Sequence, residues 1–137
     1  MRMRQIIATH PDVQGNTNES LLRAIEHSYA CTQACIACAD ACLAEEQVAE
    51  LRQCIRLNLD CADICAATAS MASRRTGSNE SILLEMLATC ATACRLCADE
   101  CQQHARMHRH CALCAEACDD CEKSCNDAIQ SIRSFHI

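Results

Sequence analysis

An all-α chain, folded as an antiparallel up-down-up-down four-helix bundle with a cysteine-lined core, is predicted by three observations: cysteine spacing, an internal repeat, and scarce turn residues. Sixteen of the 137 residues are cysteine. They run Cys31, Cys35, Cys38, Cys42, then Cys54, Cys61, Cys65, then Cys90, Cys94, Cys97, Cys101, and finally Cys111, Cys114, Cys118, Cys121, Cys125. Steps of three and four residues keep the dense runs on one helical stripe, the one that ordinarily faces a core. The segment CTQACIACADAC from Cys31 recurs as CATACRLCADEC from Cys90 with every cysteine aligned, and Cys54, Asp60-Cys61 and Cys65 recur as Cys114, Asp120-Cys121 and Cys125. The unit is a helical hairpin present twice, and short connections make its helices antiparallel neighbours. Two Gly and one Pro leave little for β-turns, whereas Ala, Leu, Glu, Gln and Arg favour helix.

The elements follow in order. Residues 1–16 form a tail or short helix, expected to pack on a neighbouring subunit, and 17–137 form the bundle, as two hairpins over about 17–72 and 79–133. Thr17, Asn18 or Ser20 caps the first helix, which runs to about Glu45. The second spans about Gln47 to Ala72. Ser73 to Asn79 reads as a loop, because it holds Gly77 and capping residues and breaks the apolar pattern. The third helix starts near Asn79 and ends around His104, and the fourth spans about Met107 to Arg133. The second helix departs from the dense pattern: Asn58 stands where the repeat has Cys118, and Leu51 precedes it.

The register gathers the sulfurs into one zone, a tube of thiols roughly 20 Å long at a rise of about 1.5 Å per residue. Leu21, Ile25, Met71, Leu83, Leu87, Ile129 and Ile132 plug the opposite end. At the open end His104, Met107, His108 and His110 lie in the turn between the third and fourth helices, beside Cys101 and Cys111. Polar turns often carry His, yet three His and a Met within seven residues adjoining the thiols make ligands of them, since both side chains bind soft or borderline metals. His10, His27 and His136 lack such company and read as solvated. Asp40, Asp63, Asp99, Glu116 and Asp119 read as solvated faces too.

Composition narrows the function. The formal charge of −6 gives no attraction to nucleic acid or an anionic membrane, and no apolar stretch approaches the roughly 20 residues of a membrane span. The N-terminus MRMRQIIATH lacks the apolar run of a secretory signal, which places the chain in the cytosol. Structural disulfides are rare there, so the cysteines point to metal or redox chemistry. Neighbours on one helix, with Cβ atoms about 5–6 Å apart, cannot bond without distortion, since a disulfide needs about 3.5–4.5 Å.

Charge selects the metal. Four Zn²⁺ would leave half of the sixteen thiolate charges uncompensated inside the protein, a severe penalty. One Cu⁺ per thiolate cancels them all, and soft thiolates select Cu(I). Zinc sites also come mostly from loop knuckles, and the ferredoxin-type cysteine run is absent. A zinc-binding or thiol-redox bundle is the alternative. The redox version, an enzyme, needs one poised nucleophile, and this array singles out none; the chain is read as not an enzyme.

With these residues on the page, the chain resembles the cytosolic copper storage proteins, a cysteine-lined four-helix-bundle family. The likeness runs from about Asn18 onward and rests on the repeated C-x₃-C-x₂-C-x₃-C helices. It implies a homotetramer that binds multiple Cu(I) ions per chain, with all sixteen cysteines as ligands and His104, His108 and His110 at the mouth. A copper chaperone and a copper-requiring enzyme are the partners such a store calls for. Two further apolar stripes, Leu22, Tyr29, Ile36, Leu43 and Leu57, Ile64, Met71, lie off the cysteine face and suit self-association.

Overall fold

The computed structural model describes residues 2–135, so His136 lies outside the described residues. Five α-helices follow one another: α1 (Arg2–Ala8), α2 (Glu19–Leu43), α3 (Arg52–Ser73), α4 (Glu80–His104) and α5 (Arg109–Phe135), with a 3₁₀ turn, Val48–Leu51, ahead of α3. The last four are the bundle: α2 packs on α3 and α5, and α4 packs on α5 and α3, closing a square. No strand occurs among the described residues.

Each bundle helix starts and stops for a local reason. The Asn18 side chain accepts the Leu21 N–H at 3.1 Å and caps α2, supplying one of the orphan donors of a helix start. Helix α3 begins at Arg52, later than the expected start near Gln47. A tight turn, closed by Glu50 N–H to the Gln47 carbonyl at 2.9 Å, tucks Leu51 into the core at 1% exposure, and no side chain caps Arg52. The loop after α3 turns at Gly77, whose φ of +71° suits a residue without Cβ. Asn79 caps none of the α4 amides; its Nδ2 instead donates to the Met71 carbonyl across the loop at 3.3 Å.

The N-terminal segment holds a short helix, α1. Helix α1 packs on its own bundle at the end away from the histidine turn, burying Ile7 and half-burying Met3. Arg4 reaches from it to Glu19 at 2.8 and 2.9 Å and to Glu26 at 2.7 Å. His10 joins Thr76 Oγ1 at 3.0 Å, so the segment also has partners within its own chain.

Two other expectations are corrected. Helix α4 is long and apolar enough to cross a membrane by length and composition alone, because its cysteines count as apolar. Leu83, Leu87 and its four cysteines face the bundle interior, while Arg95 on its outer side pairs with Asp99, Asp119 and Glu122. Such a pattern is that of a core helix. His27 is half-buried and hydrogen-bonds through Nδ1 to Ser124 Oγ rather than facing water alone.

The apolar plug is largely as expected. Leu21, Ile25, Leu83 and Leu87 are buried and Ile129 and Ile132 pack against them, whereas Met71 is only half-buried. A cleft of about 540 Å³ opens at this end between the plug and Arg74, Arg75 and Asn79, and no thiol lines it. Of the two outer stripes, Tyr29, Ile36 and Leu43 are exposed. Leu22 is buried, and Leu57 and Ile64 complete the core face.

Candidate metal centre

All sixteen cysteines are free and buried. Helical spacing supplies neighbours along each helix, and the square of helices brings sulfurs across the axis. Cys65 Sγ lies 3.6 Å from Cys90 and 3.7 Å from Cys94, and Cys31 Sγ lies 3.7 Å from Cys118. Cys35 Sγ touches Cys114 and Cys118, both at 3.8 Å, and nearer the mouth Cys54 and Cys101 are 3.6 Å apart. These are contacts of packed thiols, well beyond the bonded S–S length of about 2.05 Å.

The sulfurs fall into overlapping groups whose ligand atoms lie within 4.8 Å of one another. On the plug side are Cys31, Cys65, Cys94 and Cys121, with Cys90 beyond them, 3.6 Å from Cys65 and 3.9 Å from Cys121; then Cys31, Cys35, Cys61 and Cys118; then Cys35, Cys97, Cys114 and Cys118. Cys38, Cys101 and Cys114 follow, and at the open end stand Cys38, Cys42, Cys111 and His110. Each of these groups shares a cysteine with the next. An ion exchanging one thiolate for another can therefore move along the tube while it stays ligated.

Hydroxyls mark where sulfur gives way to hydrocarbon. Ser28 and Thr68 are buried on the same stripes as the cysteines. Ser28 Oγ sits 3.5 Å from Cys121 Sγ, and Thr68 Oγ1 donates to the Ile64 carbonyl at 2.7 Å.

The structure sorts the four predicted mouth residues. His110 Nδ1 lies 3.4 Å from Cys38 Sγ and 3.6 Å from Cys111 Sγ, on the rim of the sulfur zone. His108 is buried and stacks on His110 with ring centroids 5.5 Å apart. His104 Nε2 is 2.8 Å from Glu100 Oε2 on its own helix. Met107 is 73% exposed and stands outside the groups just described. Sequence reading missed the carboxylate that organises this turn: Glu45 Oε2 lies 2.8 Å from His110 Nε2 and 3.1 Å from His108 Nδ1. The hydrogen bond to His110, with the charge of His108 behind it, holds the Glu45 carboxyl below the usual range. The signal was in the topology, since the α2–α3 and α4–α5 turns of an antiparallel bundle share one end.

Asn58 also matters more than its place in the repeat indicates. It is fully buried, and its Oδ1 accepts the thiols of Cys97 at 3.0 Å, Cys114 at 3.2 Å and Cys101 at 3.5 Å. Its Nδ2 points at Cys54 Sγ at 3.7 Å. Among the described residues no buried side-chain nitrogen or oxygen lacks a partner.

Burial governs the thiols at the rim. It pushes the Cys42 thiol up to about 11, and burial beside Cys42 raises Cys111 as well. These two rim thiols are thus protonated near pH 7, and a metal must displace their protons to bind them.

Comparison with known proteins gives a consistent result. Residues 17–130 match the family model described as copper storage protein. The fold superposes on a Streptomyces lividans copper storage protein, Ccsp, loaded with 10 copper equivalents, at a TM-score of 0.90 and 47% identity, covering 94% of this chain and 98% of that one. A second structure, a cytosolic copper storage protein of the same organism with five coppers, matches at 0.80 and 51% identity over 82% of this chain and 93% of that one. An uncharacterised cysteine-rich protein of Bacillus subtilis, YhjQ, is 38% identical over 107 residues, spanning 73% of this chain and 94% of its own length.

Proposed function

This chain belongs to the copper storage protein family, and from that premise we propose how it holds its cargo. Cu(I) ions occupy the overlapping cysteine groups, bridged by thiolates, with all sixteen cysteines as ligands. His110 takes the ion first, at a rim shared with Cys38, Cys42 and Cys111. His104 and His108 hold the shape of the mouth through Glu100 and Glu45, and Met107 serves as an outer contact for an arriving ion. The observation that carries this reading is the continuity of the groups, each sharing a sulfur with the next.

The chemistry fits the ion. Soft thiolates select Cu(I), and one Cu⁺ per thiolate leaves the interior without net charge. Loading exchanges a thiol proton for a cuprous ion, so each engaged cysteine releases about one proton. Every transfer step forms a new Cu–S bond as an old one breaks. Nothing turns over, and the role is storage without catalysis.

The S. lividans relative is described as cytosolic, and we place this chain in the same compartment, where a copper chaperone can deliver and a copper-requiring enzyme can withdraw. Tyr29, Ile36 and Leu43, exposed along one side of α2, support a homotetramer. Light scattering then gives four times the 15.0 kDa chain mass.

The test is an anaerobic titration of the fully reduced chain with Cu(I) against a competing chelator. Binding that approaches one ion per cysteine, with proton release in step, supports the proposal. A plateau at about one metal per four thiols, the stoichiometry of a structural zinc site, would overturn it.

A further inference from the structure

Four of the five groups described above hold four ligand atoms, and the fifth holds three. Its members are Cys38 on α2, Cys101 on α4 and Cys114 on α5, whose Sγ atoms lie within 4.8 Å of one another. All three are free and buried. Because each comes from a different helix, the sulfurs surround one point from three sides. Cys38 also belongs to the rim group with Cys42, Cys111 and His110, so this triad lies directly inside the mouth.

Three thiolates carry three negative charges. Cu⁺ cancels them only as three ions sharing bridging sulfurs, a divalent ion leaves one uncompensated, and residual buried charge is costly. A single trivalent centre cancels all three. Soft thiolates select soft centres, and the soft trivalent centre that takes three ligands on one side and keeps a lone pair on the other is arsenic(III). A fourth sulfur has no place in such a pyramid: as a thiolate it restores a charge, and as a thiol it faces the lone pair.

We propose that Cys38, Cys101 and Cys114 form a binding site for trivalent arsenic, so that the copper-free chain captures arsenous acid. As(OH)₃ passes the rim as a small uncharged molecule. Each As–O bond is then replaced by an As–S bond, and each thiol proton leaves with a hydroxyl as water, so three waters depart for every arsenic bound. Arsenic stays trivalent and no sulfur is oxidised, which means that no oxidant or reductant takes part. The product is uncharged and suits a buried site. The inference uses sulfurs that the storage reading also uses, but none of the copper chemistry.

The experiment mixes the full reduced, copper-free chain with arsenite at neutral pH without oxygen. Native mass spectrometry identifies the adduct, and competition with a small dithiol measures its affinity. The first equivalent is expected to add the mass of one arsenic less three hydrogens. Cys101→Ala leaves two of the three sulfurs and should weaken that equivalent about a hundredfold, the scale on which a lost arm of a chelate tells. Cys125→Ala, beyond Cys121 on the plug side of α5, should keep the native affinity, and circular dichroism checks that both variants hold their helix content. A chain filled beforehand with Cu(I) should take up no arsenic. A first adduct of one arsenic and one hydroxide less two hydrogens means capture by two sulfurs and overturns the inference. So does an unchanged affinity in a folded Cys101→Ala, an equal loss in Cys125→Ala, or arsenic bound on top of a full copper load. The storage reading fails separately, by a copper capacity of only a few ions in the arsenic-free chain.

Discussion

Near the Ser73–Asn79 loop the helices meet through Ile25, Leu87 and Ala128. About two turns along the same stripes they meet through Cys31, Cys94 and Cys121. Burial is the same in both layers, at 0–1% exposure, and so is the helical register. The hydrocarbon layer has only cohesion to offer. In the sulfur layer each neutral thiol behaves as a small hydrophobe, so the tube packs without cargo and still presents ligands. One bundle thus separates two tasks along its length: the plug and α1 hold the helices together, and the thiols remain free to exchange protons for metal.

Substitutions at matched depth sharpen that contrast. The largest loss of stability belongs to Leu87→Ala, which is fully buried and should destabilise the metal-free chain by about 3 kcal/mol. Thermal melting followed by circular dichroism measures it, and a Cu(I) titration of the same variant at low temperature should return the native capacity. A fall in capacity would mean that the plug shapes the metal sites, and the division of tasks would fail.

The mouth comes next. His110→Ala removes the nitrogen closest to Cys38 and Cys111, and should slow the first phase of uptake about tenfold, the worth of roughly 1.4 kcal/mol, in stopped-flow transfer from a cuprous chelator complex. Capacity changes by one ion at most. Cys94→Ala is the mirror image of Leu87→Ala. Its stability effect is about 1 kcal/mol, counting the sulfur as one buried methylene, while titration loses one ion or more because Cys94 serves the group with Cys31, Cys65 and Cys121.

What the sequence made legible was whatever depends on periodicity. Cysteines at three and four residue steps on α4 and α5 could face only one way, and the repeat implied the antiparallel topology. The 3₁₀ turn at Leu51 escaped, because its cause is a leucine drawn under two helices rather than a local signal. Glu45 escaped for a different reason: it meets His108 and His110 only after the chain has doubled back twice. Asn58 was visible as a break in the pattern, but its consequence depends on which sulfurs stand opposite, and that is a tertiary fact.

The smallest effect concerns the strap at the closed end. Arg4 on α1 holds Glu26 and Glu19, and its hydrogen bonds lower both carboxyl pKa values. A carboxyl with a lowered folded-state pKa stabilises the fold above its unfolded value, about 4.3 for Glu, and that contribution disappears as pH falls through the folded value. The Glu19 pair is solvent-exposed and the Glu26 pair only part-buried, and screening keeps their worth small. Arg4→Ala should therefore lower the melting temperature slightly at pH 7, by far less than Leu87→Ala, and the difference should close as pH falls below the unfolded Glu value. High salt should shrink it at pH 7 as well. A gap that persists in acid would assign the strap to Ile7 and Met3, the apolar side of α1, and would place the helix with the hydrocarbon plug in kind as well as in position.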